Sequence, residues 1–402
     1  MQIRKAYKFR LKAKPGQIAM FRQQAGCCRF LWNRALALQK QRLDAGEKVL
    51  RYAELCKLLT GWKREEATAF LAEAPIHALQ QTLKFLDRAI MEAFDKSNPQ
   101  RFPVFKKKGR DADSFRHPDG FKLDGARIYL PKIGWVRLHK SREIEGVPRN
   151  VTVSRRGEHW YVSIQTEMEV AEPVHPATSA VGIDLGVARF ATLSDGSYLE
   201  PLHSFRRIEK RLAREQRKLG RKVKFSANWR KQKERITRLH IKVADARNDF
   251  LHKASTTISK NHAIVVLEYL RIRNMSRSAR GSQENPGRNV RAKAGLNKAI
   301  LDQGWFEFRR QLEHKQLWQG GTVVAIPPQY TSQTCPSCGT ISPENRKTQA
   351  RFACACGYRN HADHVAALNI LAAGLAVSAC GEAAQSGSST KQEPTEEIRH
   401  AA

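Results

Sequence analysis

Three acidic residues, far apart in a very basic chain, carry the clearest chemical signal: Asp184 in VGIDLGVARFATLSDG, Glu268 in AIVVLEYL and Asp363 in NHADHVAALNIL. Asp184 interrupts a run apolar enough for a buried strand, and Glu268 ends another. An ionised carboxylate in such a place is costly unless a cation compensates it. Asp363 falls at the start of an apolar helix, where the helix dipole favours an anion. Carboxylates from two strands and a helix can hold two divalent cations about 4 Å apart, one generating hydroxide from water and the other stabilising the leaving oxygen of a phosphodiester. Hard oxygen donors select Mg²⁺ or Mn²⁺, two per active site. This is the pattern of a metal-dependent nuclease.

A second constellation is Cys335-x-x-Cys338 followed by Cys354-x-Cys356. Four thiolates in two close pairs give a closed tetrahedral site for one Zn²⁺, structural because no position remains open for water. His361 is an alternative ligand, although a helix-initiating histidine with no metal role explains it better. The other cysteines, Cys27, Cys28, Cys56 and Cys380, are scattered and read as core or neutral surface residues.

The charge balance points to the partner. Lys plus Arg number 71 and Asp plus Glu 38, so 71 − 38 gives +33. Nucleic acid is the first partner such a chain would neutralise, with strong, salt-sensitive and largely sequence-independent binding. Basic structural proteins share this trait, so charge alone implies no catalysis. No run approaches the roughly 20 apolar residues that span a bilayer, and no apolar stretch follows the basic start, so a cytoplasmic, nucleoid-associated protein with no membrane partner is expected.

The elements that must position these groups follow from periodicity. KAYKFRLK alternates as a strand, and Pro15 opens an amphipathic helix with Ile18, Phe21, Ala25, Cys28, Leu31 and Ala35 on one face. Helical segments continue to about residue 98, including one with Leu79, Leu83, Leu86, Ile90 and Phe94 aligned. The segment SNPQRFPVFKKKGRDADSF then interleaves Arg101, Lys106, Lys107, Lys108 and Arg110 with Phe102, Phe105 and Phe115, suiting phosphate contacts and base stacking. Residues 120–169 read as short antiparallel strands, which with the first strand suggest a small barrel holding an inserted helical bundle. An oligonucleotide-binding barrel is one such architecture.

After the linker AEPVHPATS, the strand VGIDLGV opens a further module, with a tight turn at Asp195-Gly196. A basic helical stretch from about Phe205 to Lys260 follows, in which Arg214, Arg217, Lys218, Arg221 and Lys222 are candidate nucleic-acid contacts. RIRNMSRSARGSQENPGRNVRAKAG reads as a flexible basic loop, GLNKAILDQGWFEFRRQLEHKQLWQGG as a helix and TVVAIP as a strand. The tail from residue 379 lacks an apolar face and is expected to be disordered.

VGIDLGVARFATLSDG, VVLEYLRIRNM, GLNKAILDQGW, YTSQTCPSCG and ADHVAALNIL, in that order, resemble the signature blocks of the TnpB family, transposon-encoded RNA-guided DNA nucleases related to the type V CRISPR effectors. YKFRLKAKPGQIAMFRQQAGCCRFLWNRAL resembles the family's opening, so the likeness spans about residues 1–375. The resemblance implies an α/β multidomain protein: a RuvC-like nuclease of RNase H fold over 176–330 and 358–378, with a zinc-ribbon insertion at 331–357 and a disordered tail at 379–402. It further implies a wedge β-barrel from 1–12 and 100–175 and a helical recognition domain at 13–99. Asp184, Glu268 and Asp363 would be its metal-binding acids, and guide RNA from the transposon end and double-stranded target DNA its partners.

Two features depart from the family pattern. The second cysteine pair is CxC where the family usually has CxxC, and Val365 stands where the family often has Asn. The expected activity is RNA-guided cleavage of DNA beside a transposon-adjacent motif, in a bacterial or archaeal insertion sequence. The alternatives are a DNA-joining transposase of the same fold and an RNA-guided repressor, which would need no acids.

Overall fold

The computed structural model of the chain describes residues 1–97, 100–109 and 111–386, with 380–386 described by backbone alone. Arg110 and residues 387–402 of the expected tail lie outside the described residues. The chain divides into two compact units, Met1–Ala171 and Glu172–Ala402.

In the first unit, β1 (Gln2–Lys12) is followed by α1 (Pro15–Asp44), α2 (Tyr52–Trp62) and α3 (Ile76–Phe94). Six strands complete it: β2 (Ser114–His117), β3 (Lys122–Asp124), β4 (Arg127–Leu130), β5 (Gly134–Leu138), β6 (Val147–Arg156) and β7 (His159–Glu169). The alternation in β1 turns Ile3, Tyr7, Phe9 and Leu11 inward. Residues 2–10 of this strand pair with β7 and its last two with β5, so one strand joins the sheet's two halves in the order β2-β6-β7-β1-β5-β4-β3.

No pairing joins the end strands β2 and β3 among the described residues, so in hydrogen bonding the expected barrel is an open antiparallel sheet. Helices and sheet share one apolar cluster, with the Phe21 ring of α1 5.2 Å from Trp160 of β7. Residues 13–97 and the sheet therefore form one compact unit, where the sequence suggested separate modules. Phe115 belongs to this core, and Phe102 is half-buried against Phe94, so of the three aromatics expected to stack on bases only Phe105 is exposed, beneath the Lys40 ammonium.

The second unit holds β8 (Ala180–Asp184), β9 (Ala191–Leu193), β10 (Tyr198–Leu199), α4 (Ser204–Gly220), α5 (Ala227–Asn261), β11 (Ile264–Glu268), α6 (Ile272–Met275), α7 (Val290–Gln303), α8 (Trp305–Gln319) and β12 (Thr322–Ile326). A two-stranded ribbon, β13 (Arg351–Ala353) with β14 (Arg359–His361), leads into α9 (Ala362–Ser386). The main sheet runs β10-β9-β8-β11-β12, with β8, β11 and β12 parallel and β9 and β10 antiparallel. On one face Val181, Ile183, Val265 and Leu267 pack with Leu251 and Ile258 of α5 and Phe308 and Leu312 of α8. On the other, Val266 and Ile326 pack with Ile370 of α9.

Four expectations change in this unit. The basic loop is shorter, because α7 begins at Val290. The helix expected from Gly295 to Gly321 is two helices, broken at Gly304, whose φ of 77° no side chain favours. Helix α9 continues through Ser386, past the residue 379 at which disorder was expected. Residues Ala362–Ala379 are long and apolar enough to cross a membrane by composition alone, contrary to the reading of the sequence, but this helix packs on β8, β11 and β12 as a core element.

Candidate active site and metal centre

Strand alternation aims two of the three acids. In β8 Val181 and Ile183 face α5 and α8, so Gly182 and Asp184 face α9; in β11 Val266 and Glu268 face α9 by the same rule. The parallel register pairs Leu267 with Ile183, and its next step sets Glu268 beside Asp184 at the carboxyl ends of neighbouring strands. Asp363 enters from the first turn of α9. That helix lies very close to the sheet: a Cβ on Gly182 would sit 2.2 Å from the Ala367 carbonyl oxygen, and one on Gly374 2.3 Å from Val266 Cγ1. Glycine at both positions lets the Asp363 helix reach the Asp184 strand.

The acids share one electrostatic environment. Burial, then the charges of Glu268 and Asp363, push Asp184 up to about 7, against the opposing pull of Arg346. Burial also raises Glu268, with Thr331 and Arg346 pulling the other way. An arrangement that raises carboxylates in this way lacks positive charge. Among the described residues Arg346 is the Lys or Arg paired with one of these acids, 3.7 Å from Asp363 Oδ1, and the His361 Nδ1 lies 3.8 Å from Oδ2. Thr331 donates from its hydroxyl to Glu268 Oε1 at 2.6 Å, and Asn369 of α9 donates at 2.7 Å to the backbone oxygens of both Thr331 and Thr334. Sequence reading missed Thr331, Arg346 and Asn369, polar residues whose relation to the acids exists only in the fold.

The four cysteines converge, with their sulfurs all within 4.8 Å of one another. The close approaches cross between the pairs, Cys335 to Cys356 and Cys338 to Cys354, each 3.6 Å. Tetrahedral Zn–S bonds of about 2.3 Å require S···S edges of about 3.8 Å, so the quartet fits such an ion and the CxC pair reaches its place. Hydrogen bonds from the Thr340 side chain and backbone lower the pKa of the Cys338 thiol, while hydrogen bonds with the neighbouring cysteines raise that of Cys356. His361 is outside the quartet and accepts the Asp363 N–H at 3.3 Å. Val365, fully buried, packs with Cys335, Phe352 and Cys354, so the departure from Asn joins the cysteine knuckle to α9 through apolar contact.

The basic candidates are more dispersed. In the first unit Arg101, Lys107 and Lys108 are exposed, whereas the Lys106 ammonium lies 3.8 Å over the Trp32 ring and burial lowers its pKa. In the second, Arg214, Arg217, Lys218 and Arg221 are exposed on α4 and the turn after it, and Lys222 is half-buried. Glu215 takes ion pairs from Arg214 and Lys218.

Several segments of the chain match known proteins. Residues 163–279 match the OrfB_IS605 family, described as "Probable transposase", and residues 1–48 its "Helix-turn-helix domain". Residues 305–370 match the "Cas12f1-like, TNB domain". The chain is 53% identical over 397 residues to "Putative RNA-guided DNA endonuclease InsQ" of Escherichia coli (strain K12), with 98% of each chain covered. The chain belongs to the TnpB family. A second TnpB relative, "Putative RNA-guided DNA endonuclease" of Streptomyces pristinaespiralis, is 34% identical over 412 residues, 98% of this chain and 97% of the other. The cryo-EM structure of a Cas12f1–sgRNA–target DNA complex shares the fold at a TM-score of 0.53 and 13% identity, over 92% of this chain and 98% of that one. The fold is mixed α/β with a zinc-ribbon-like domain. Residues 1–48 here form a strand and one long helix, so the helix-turn-helix description does not fit their local structure.

Proposed function

We propose that this chain is an RNA-guided DNA endonuclease of an insertion sequence, hydrolysing phosphodiester bonds at Asp184, Glu268 and Asp363 beside a transposon-adjacent motif. What supports the reading is that Glu268 and Asp363, from β11 and α9, act electrostatically on Asp184 of β8, in a chain 53% identical to a relative named for that activity. The strand order β10-β9-β8-β11-β12 supports an RNase H-like, RuvC-type nuclease, and the cysteine ribbon its zinc-binding insertion. The seven-stranded sheet and α1–α3 would serve as wedge and recognition elements.

Mg²⁺ or Mn²⁺, two per centre, would supply Lewis-acid activation of water and of the leaving oxygen. The chain's residues do the rest. Asp184, Glu268 and Asp363 are the cation ligands, and the upward push on Asp184 is the mark of a site completed by positive charge. Thr331 fixes the Glu268 carboxylate, and Asn369 fixes Thr331. Arg346 brings one guanidinium within 3.7 Å of Asp363, where it would offset charge on a phosphate held by the acids. Cys335, Cys338, Cys354 and Cys356 would hold a Zn²⁺, which would tie down the loop that carries Arg346.

A net charge of +33 suits phosphates, but phosphate contacts carry little sequence information, and base pairing with a guide RNA supplies it. Arg101, Lys107 and Lys108 in one unit and Arg214, Arg217, Lys218, Arg221 and Lys222 in the other are the proposed backbone contacts, in a protein working in the cytoplasm at the nucleoid. The test is cleavage of matched DNA by the purified RNA complex in Mg²⁺. Asp184→Ala, Glu268→Ala and Asp363→Ala should each abolish cutting and leave RNA and DNA binding nearly intact; a variant cutting at the wild-type rate would overturn its assignment.

A further inference from the structure

A cleft of about 260 Å³ opens where the acid cluster ends. Leu185, the residue after Asp184, and Glu268 itself both line it, Trp305 is buried in its wall, and two aromatics stand at its edge in water. Tyr269 is 51% exposed and Phe306 74%, and the Arg309 guanidinium lies 5.2 Å from the Tyr269 ring centroid. One exposed aromatic is ordinary, but two flanking an apolar cleft beside a cluster of acids form a stacking surface.

We propose that this cleft holds one unstacked nucleobase of the DNA strand being cut, next to the scissile phosphate; the proposal rests on the active centre assigned above. The volume suits a base. The charges give a phosphate no unpaired guanidinium in this cleft: Arg309 is paired with Glu313 and Arg310 with Glu307, each at 2.7 Å. With both cations already engaged, the aromatic walls favour a neutral ring over a phosphate. Stacking is tolerant of sequence because every base has a π-face, so the cleft fixes where the strand is cut without restricting which sequence is cut. A strand delivered to three acids needs such a grip, since phosphates repeat along the backbone and the acids alone do not choose among them.

Abasic-site scanning of the cut strand, with the intact RNA complex and Mg²⁺, tests this. Wild type should lose about tenfold in cleavage rate when the abasic site occupies one position adjacent to the cut, and little elsewhere. Phe306→Ala and Tyr269→Ala should each lose about tenfold on intact DNA and lose nothing further at that abasic position, and Phe306→Trp should restore the rate. If no abasic position slows the wild type, or if the two losses multiply, the base-holding cleft is wrong while a silent Asp184→Ala protein still upholds the active centre. If Asp184→Ala cuts, the active centre fails instead.

Discussion

The Thr331 hydroxyl donates a 2.6 Å hydrogen bond to Glu268 Oε1, and this contact fixes the carboxylate at the end of β11. Thr331 stands just before the first cysteine pair, and Asn369 of α9 anchors its backbone. The bond therefore ties the acid of one strand to the helix that carries Asp363.

Thr331→Val keeps the side chain's shape and removes the donor. A hydrogen bond to a charged group is worth about 1.5–3 kcal/mol, so cleavage should slow roughly ten- to a hundredfold. Zinc content should be unchanged. A single-turnover rate equal to wild type would show that Glu268 needs no orienting group.

The raised pKa of Asp184 makes a prediction for the metal-free protein. Its carboxyl ionises near 3.8 when unfolded and near 7 when folded, so the folded state holds the proton more tightly between those values. Stability is therefore lost as pH rises from about 4 to about 7, and the loss persists above, up to a few kcal/mol. Asp184→Asn should remove that loss, melting higher than wild type at pH 8 without Mg²⁺ and showing no advantage at pH 4. Equal melting at pH 8 would mean that the acids do not strain the empty site.

The cysteine quartet should hold about one zinc per chain. Among the described residues its apolar core is Cys335, Phe352, Cys354, Ala362 and Val365, too small to fold alone. Cys335→Ala should release the metal, and with it the placement of Arg346, so cleavage falls while RNA binding persists. Metal analysis of purified protein checks this, and a zinc-free protein of full activity would contradict it.

Gly182→Ala places a methyl 2.2 Å from the Ala367 carbonyl oxygen and 2.7 Å from the Leu371 nitrogen, atoms of a helix backbone that cannot yield locally. Overpacking of this kind costs about 1–3 kcal/mol. Thermal unfolding should shift down, and cleavage should fall further than stability explains, because α9 carries Asp363. Wild-type melting and cutting would mean that the approach of helix to sheet is not required.

The legible parts of the molecule are those written in local pattern. Consecutive apolar residues mark β8 and β11, and their period of two carries Asp184 and Glu268 to one face. The cysteine spacing marks the ribbon. Polar residues in irregular segments give no such signal: Thr331, Arg346 and Asn369 acquire meaning only when 331–346 folds over the strand ends. The open sheet of the first unit was illegible because alternation fixes faces and not closure, and the Phe115 ring could be assigned to core or to stacking with equal periodicity. Val365 looked like a lost polar residue and is an apolar joint between ribbon and helix.

The most direct test of the central claim is to change the guide segment of the RNA bound to the purified protein and map the cut in DNA with Mg²⁺ present. The cut should move to the newly matched site beside the same short motif and disappear with Asp184→Ala. RNA-free protein that cuts one fixed site or joins DNA ends, or a cut that ignores the changed guide, would contradict it.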